Sequence, residues 1–214
     1  MKGSERLLAE QLLYISAVKL QPNIPFVWGS GWNSPIYNEN PRLLSYPSLR
    51  NRIKVEMAKV IIENFPEADA IASVSLGAIP IGAIVADTLG LPYMFVRSEP
   101  KDHGLENLIE GDLKPGQKVV LVDDLISTGA SSVKATEEIR LAGGDVLGLT
   151  AIFNYEFPSA AKRLKDEKIT LFPLVNYSSM LEVALEAGYI NPDDIGTFQA
   201  WKKDPMNWVP GDID

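Results

Sequence analysis

A chain of 214 residues, 46% hydrophobic and 22% charged, suffices for one sizeable domain and does not require a second core. No apolar run approaches the roughly 20 residues that span a bilayer, and the absence of cysteine excludes disulfides and thiolate metal sites. A formal charge of -8 argues against a surface that tracks nucleic-acid phosphates, although a small anion can still bind wherever basic residues gather locally.

The first segment, MKGSERLLAEQLL, breaks its apolar content with Glu5, Arg6, Glu10 and Gln11. It reads as an amphipathic helix and not as a secretory signal, which places the protein in the cytoplasm. Ser4 can cap this helix, and Leu8, Leu12 and Ile15 share one face. Residues 21–47 hold five prolines and the stretch SGWNSP, the pattern of a small irregular lobe of brief strands and turns. A second helix is expected over 50–65, with Ile53, Met57, Val60 and Ile61 on its buried side.

From there strands and helices alternate. Strands are expected at 70–75, 93–96, 118–122, 146–153 and 169–175, and helices at 80–89, 130–141 and 158–166. That alternation implies an α/β fold with a mostly parallel sheet flanked by helices, whose ligands sit beyond the carboxyl ends of the strands. Residues 98–116 break the pattern: they are polar, contain glycine and include Lys101 and His103. A loop of that length inside a compact domain is usually functional or disordered. The tail from about residue 191, with Trp201 and Trp208, is expected to pack back on the small lobe.

The chemistry concentrates in VVLVDDLISTGASS, residues 119–132. A buried strand delivers Asp123 and Asp124 to its carboxyl end, and a turn of small and hydroxylated residues leads into the next helix. A helix N-terminus offers unpaired N–H groups to an anion. Gly129 permits close backbone approach, and Ser127, Thr128, Ser131 and Ser132 add hydroxyls. This end of the motif suits a phosphate monoester. The aspartates beside it need hydroxyl donors or a divalent cation. A phosphorylated sugar supplies both needs, whereas the GxxxxGK[ST] and GxGxxG signatures of other nucleotide folds are absent.

VVLVDDLISTGAS resembles the phosphoribosyl-diphosphate (PRPP) motif of the type I phosphoribosyltransferases. SGWNSPIY (30–37), LGAIPIGAIVADTLGLPYMFVR (76–97) and KDHGLENLIEGDLKPGQKVVLVDDLISTG (101–129) extend the resemblance to the orotate phosphoribosyltransferases, over roughly residues 4–176. The resemblance implies the type I phosphoribosyltransferase fold as a single domain over 1–214. In it, residues 1–47 and the C-terminal tail contribute a small hood lobe. It implies transfer of the 5-phosphoribosyl group from PRPP to orotate, giving orotidine 5′-monophosphate and diphosphate in UMP biosynthesis.

Carried onto this chain, the resemblance gives catalytic roles to Lys101, His103 and Asp124. It assigns PRPP to Arg97, Lys101, His103, Asp123, Asp124 and the run Leu125, Ile126, Ser127, Thr128, Gly129, Ala130 and Ser131. The LGAIP loop would face the diphosphate. Orotate falls to Ser127, Tyr37 and Asn154, helped by backbone amides of residues 34–37. Mg²⁺ would be held mainly through PRPP and water near Asp123 and Asp124. A homodimer is implied, with the loop bearing Lys101 and His103 closing over the partner's site, and neither nucleic acid nor membrane is a partner.

Three positions depart from the family pattern. Gly29, after Trp28, stands where many members carry lysine; Asn154, in FNYE, stands where many carry an arginine for the base carboxylate; Ser98 follows Arg97 where a second basic residue is common. The base half of the site therefore leaves two alternatives open: a phosphoribosyltransferase for xanthine or uracil, and a PRPP-sensing regulator without catalysis.

Overall fold

The computed structural model describes residues 3–99 and 108–211. The chain begins with helix α1 (Gly3–Tyr14), then short strands β1 (Val18–Leu20), β2 (Phe26–Val27), β3 (Asn33–Ser34) and β4 (Ile36–Asn38), a 3-10 segment (Asn40–Ser45) and helix α2 (Pro47–Asn64). The alternating region follows as β5 (Ala70–Val74), α3 (Ile79–Leu89), β6 (Tyr93–Val96), β7 (Ile109–Glu110), β8 (Lys118–Ile126), α4 (Ala130–Leu141), β9 (Asp145–Asn154), α5 (Pro158–Asp166) and β10 (Leu171–Asn176). Two further helices, α6 (Tyr177–Glu186) and α7 (Ile195–Lys203), finish the chain.

Val119 to Val122 are fully buried, so their strand needs cover on both faces. It has that cover as one of the two central strands of a six-stranded sheet ordered β10-β9-β8-β5-β6-β7. Every pairing is parallel except β6 with β7. Successive strands step one way from β5 to β6 and the other way from β8 to β9. The order therefore reverses between β5 and β8, and the crevice beyond the carboxyl ends of those two strands is where a ligand fits in such sheets.

β8 runs past the expected end at residue 122, because Asp123, Leu125 and Ile126 still pair with Ala151, Phe153 and Asn154 of the long β9. The acidic pair thus sits in the last turns of a strand and not in a free loop. The stretch 98–116 contains the short antiparallel strand β7; Lys101 and His103 lie outside the described residues. Helix α6 was missing from the expected elements. Its buried Tyr177, Met180, Leu181 and Ala184 recur at helical spacing, but the helix follows β10 with no intervening loop, and only Asn176, the last residue of the strand and the N-cap of the helix, marks the change of period.

The N-terminal lobe consists of two antiparallel ribbons, β1 with β4 and β2 with β3, while α1 packs on α6 and β10 at the flank of the main sheet. Helix α7 ties the β2–β3 ribbon down. The Trp201 indole N–H donates to the Asn33 carbonyl at 2.9 Å. Its ring meets Trp28, Phe157 and Tyr177 with centroids 5.6, 5.2 and 5.6 Å away. Among the described residues no helix is long and apolar enough to cross a membrane.

Trp201 is fully buried at the meeting point of the tail, the ribbon and the sheet. Trp201→Ala is expected to cost about 3–5 kcal/mol, the usual range for emptying a buried aromatic site. The midpoint of urea unfolding checks this.

Candidate functional site

Asp123 is 5% exposed. Its Oδ1 accepts the Asp124 backbone N–H at 2.9 Å and its Oδ2 accepts the Ser132 hydroxyl at 2.8 Å. Ser132 therefore serves the acidic pair from inside α4; it is buried and is not one of the hydroxyls available to a phosphate. Asp124 is gripped from two other directions. Its carbonyl accepts the Asn40 side-chain N–H at 2.6 Å, which links the N-terminal lobe to β8. Its carboxylate lies against Gly77 so closely that a Cβ there would stand 2.4 Å from Oδ2. Glycine in LGAIP is required by this close approach, since any side chain would push the carboxylate away.

After Ile126 the chain turns through Ser127, Thr128 and Gly129, whose φ of +74° is the left-handed conformation a glycine adopts without penalty. Helix α4 starts at Ala130, so its first N–H groups open toward the turn. Arg163 of α5 donates to the Thr128 carbonyl at 3.2 Å, and the Tyr155 N–H donates to the Ile126 carbonyl at 2.9 Å. The turn is thus fixed from both flanks. Leu125 and Ile126 serve it as strand, while Ser127, Thr128, Ala130 and Ser131 are open or half-open to solvent.

Beside this turn lies a cleft of about 370 Å³ lined by Trp28, Gly29, Ser30, Trp32, Tyr37, Asn38, Leu125, Ser127, Thr128 and Tyr155. Trp28 packs on Tyr155 with centroids 5.1 Å apart, and Tyr37 packs on Phe26 at 5.4 Å. The sequence-predicted Tyr37 and Ser127 meet here. Gly29 has no atom within 4 Å of where a Cβ would stand, so the position has room but supplies no charge.

The backbone amides of residues 34–37 do not serve this cleft, contrary to expectation. Pro35 has none, and the Ile36 N–H donates to the Ser34 hydroxyl. Tyr37 pairs with Lys19 between two bonded positions, Glu39 N–H to Ala17 and Gln21 N–H to Pro35. The alternation of an antiparallel ladder makes Tyr37 bonded as well. Ser34 is bonded to Phe26 by the same count from the Trp28–Trp32 bond. Asn38, opposite Val18, falls at a position that does not bond across the ribbon, so its N–H and carbonyl point away from β1.

Asn154 is a second correction. Its Nδ2 donates to Asn176 Oδ1 at 3.2 Å and its Oδ1 accepts the Glu156 N–H at 3.0 Å. It lines a different cavity, of about 500 Å³, with Phe157, Leu164, Lys165 and Lys168. Side chains alternate along a strand, so the next residue, Tyr155, takes the place in the cleft that the sequence comparison gave to Asn154. Although that second cavity is larger, it holds neither the acidic pair nor the phosphate turn, and the chemistry favours the smaller one.

Arg97 stands just beyond β6, its Nη1 3.4 Å from Glu110 Oε1 and its Nε donating to the Glu99 carbonyl at 3.2 Å. A small recess of about 50 Å³ brings Arg97 together with Ser75, Ser98, Ser131 and Lys134. Lys134, whose Nζ donates to the Ser98 carbonyl at 2.6 Å, is a cation that motif reading passed over. Its signal was its place one turn into α4, three residues after Ser131.

Residues 49–175 match the model of the phosphoribosyl transferase domain. Orotate phosphoribosyltransferase of Bacteroides thetaiotaomicron is 57% identical over 211 residues, 99% of this chain and 100% of its own length. That of Enterococcus faecalis is 48% identical over 94% of this chain and 96% of its own. The chain belongs to the orotate phosphoribosyltransferase family. Among solved structures, orotate phosphoribosyltransferase from Aeropyrum pernix superposes with a TM-score of 0.73 at 29% identity, covering 86% of this chain and 99% of that one. Leishmania donovani UMP synthase gives 0.79 at 28% identity, covering 94% of this chain and 42% of the larger one.

In this member of the orotate phosphoribosyltransferase family the acidic pair carries a cost. Burial, then the neighbouring charge of Asp124, pushes the Asp123 carboxyl well above the ordinary carboxylate range. Burial likewise raises Asp124. A carboxyl whose folded pKa is raised destabilises the fold once it ionises, and costs nothing below the unfolded value of about 3.9.

Asp124→Asn removes that charge and relieves Asp123. The ligand-free variant is expected to be more stable than wild type at pH 7–8 by about 1 kcal/mol, or about 2–4 °C in Tm. The gain should disappear as the pH falls toward about 4. Thermal melts across that range check the sign.

Proposed function

We propose that this protein transfers the 5-phosphoribosyl group of PRPP to orotate, giving orotidine 5′-monophosphate and diphosphate. The observation that carries the reading is the junction at Ser127 and Thr128. These two residues belong both to the phosphate turn after Asp123–Asp124 and to the wall of a cleft of about 370 Å³, roomy enough for a planar ring. A ring in the cleft therefore lies next to a ribose held at the acidic pair.

The chain's own residues divide the work. The N–H groups at the start of α4, with the Thr128 and Ser131 hydroxyls, hold the 5′-phosphate. Asp123 and Asp124 accept the ribose hydroxyls, and the loop after β5 receives the diphosphate. Asn38, with its outward N–H and carbonyl, pairs with the edge of the base, and Tyr37 covers its face. Breaking the bond from ribose C1 to diphosphate builds positive charge on the sugar and negative charge on the leaving oxygens. We assign to that negative charge Arg97 and Lys134, which share a recess, together with Lys101 and His103 of the segment that follows Arg97 in sequence.

The acidic pair fits Mg²⁺ held mostly by substrate oxygens and water. Among the described residues no group of three or more His, Asp or Glu side chains converges, so those residues form no cage of their own. When bound, the ion neutralises charge on the diphosphate. The same reading includes a homodimer in which the loop carrying Lys101 and His103 completes the partner's site.

Purified protein mixed with orotate, PRPP and Mg²⁺ is expected to consume orotate, read as falling ultraviolet absorbance, and to stop on chelation of the metal. Gly77→Ala, which displaces the Asp124 carboxylate, should lower kcat/KM for PRPP by roughly 100-fold or more. Turnover with uracil or xanthine in place of orotate would move the assignment to another base.

Loop sharing has its own measurement. Lys101→Ala and Asp124→Asn subunits, each inactive alone, should on mixing regain about a quarter of the wild-type rate, because half the dimers are hybrids with one whole site. Mixtures as inactive as their parents would place each loop over its own subunit.

A further inference from the structure

Among the described residues the base cleft carries no charged side chain, yet the proposed base is an anion. What lines the cleft instead is neutral: the Asn38 carboxamide, which has no partner of its own, and the hydroxyls of Ser30, Tyr37, Ser127, Thr128 and Tyr155. Tyr155 differs from the rest. It is 1% exposed, and its ring is held by Phe153, Trp28, Phe157 and Trp201 at centroid distances of 5.0, 5.1, 5.5 and 5.7 Å. Its backbone N–H is fixed on Ile126, so the direction of the phenol is set by packing before any ligand arrives. The hydroxyl makes no hydrogen bond among the described residues and is not among the polar atoms sealed from solvent, so it is open to a ligand that enters the cleft.

We propose that Tyr155 is the specificity-determining residue for the base: its hydroxyl donates to the carboxylate of a pyrimidine carboxylate, with the Ser127 hydroxyl completing a neutral carboxylate site. This rests on the functional reading above. A neutral donor to a carboxylate makes a charge-assisted bond, stronger than one between neutral groups. Burial first, and then proximity to Tyr37, drives the Tyr155 phenol's titration upward, so it remains a donor throughout the physiological range. A base without the carboxylate would cover this hydroxyl and leave it unpaired, which is how a hydrogen-bonding site rejects a near-isostere.

Tyr155→Phe keeps every ring contact and removes only the hydroxyl, and a thermal melt confirms that the variant folds. Trp28 and Trp32 line the cleft, so quenching of tryptophan fluorescence reads binding of orotate and of uracil independently of turnover. In the variant the orotate Kd and KM should rise roughly 10- to 100-fold, while the uracil Kd and the PRPP KM stay within about twofold. Unchanged orotate binding, or equal loss of orotate and uracil, overturns the assignment of Tyr155 and leaves the functional reading standing. Wild-type protein that neither binds nor converts orotate overturns both.

Discussion

Two carboxylates held at the buried end of a parallel strand are the constraint on which the rest of this architecture depends. Asp123 and Asp124 are where they are because Val119–Val122 need cover on both faces, and β9 extends far enough to keep the strand regular through Ile126. Once two acids are fixed at that spot, the surroundings must tolerate them. Ser132 and a backbone N–H satisfy Asp123, Asn40 takes the Asp124 carbonyl, and Gly77 gives up its side chain to make space. Stability is sacrificed locally to keep two acids at one buried spot, as is common where function and folding compete.

The base half is built on a different principle. It is an aromatic assembly: Trp28 from the lobe, Tyr155 and Phe157 from the end of β9, and Trp201 from α7. Three parts of the chain that are remote in sequence meet there, and none of them presents a charge to the cleft. An anionic ring in such a place must be held by oriented dipoles and hydroxyls, whose worth rises because water is thin around them. The lobe, the sheet and the tail are then mutually dependent. The cleft exists only when α7 holds the β2–β3 ribbon against β9.

The sheet and the acidic motif were legible in the sequence because their signals are local. A valine run, two aspartates and a glycine-led helix start lie within fourteen residues, and α4 and α5 fall where periodicity placed them. The failures were equally physical. Asn154 was matched to a base-binding position by its place after a strand, but a shift of one residue reverses the face on which a side chain emerges. The amides of residues 34–37 looked available because a sequence does not reveal ribbon pairing. The same pairing that uses them is what frees Asn38. Asn40 and Ser132 were invisible as supports because each acts across a distance set only by the fold, 84 residues for Asn40 to Asp124.

The one-residue reversal at the end of β9 has a wider meaning. Asn154 turns outward into a chain of polar contacts: its own bonds to Asn176 and the Glu156 N–H, the bonds from Asn176 to Glu5, and those of Glu156 to Ser178 and Lys202. That chain joins α1, β10, α6 and α7 around the rim of the sheet, and it fixes the backbone on both sides of Tyr155. Glu156 takes a left-handed φ of +57°, held by the Asn154 carboxamide in a turn that asparagine favours. The loss of a charged group at position 154 is therefore compatible with recognition of an anion. The carboxamide secures the turn, the turn aims the phenol, and the phenol faces the cleft where a cation would otherwise have to be buried at a much greater desolvation cost.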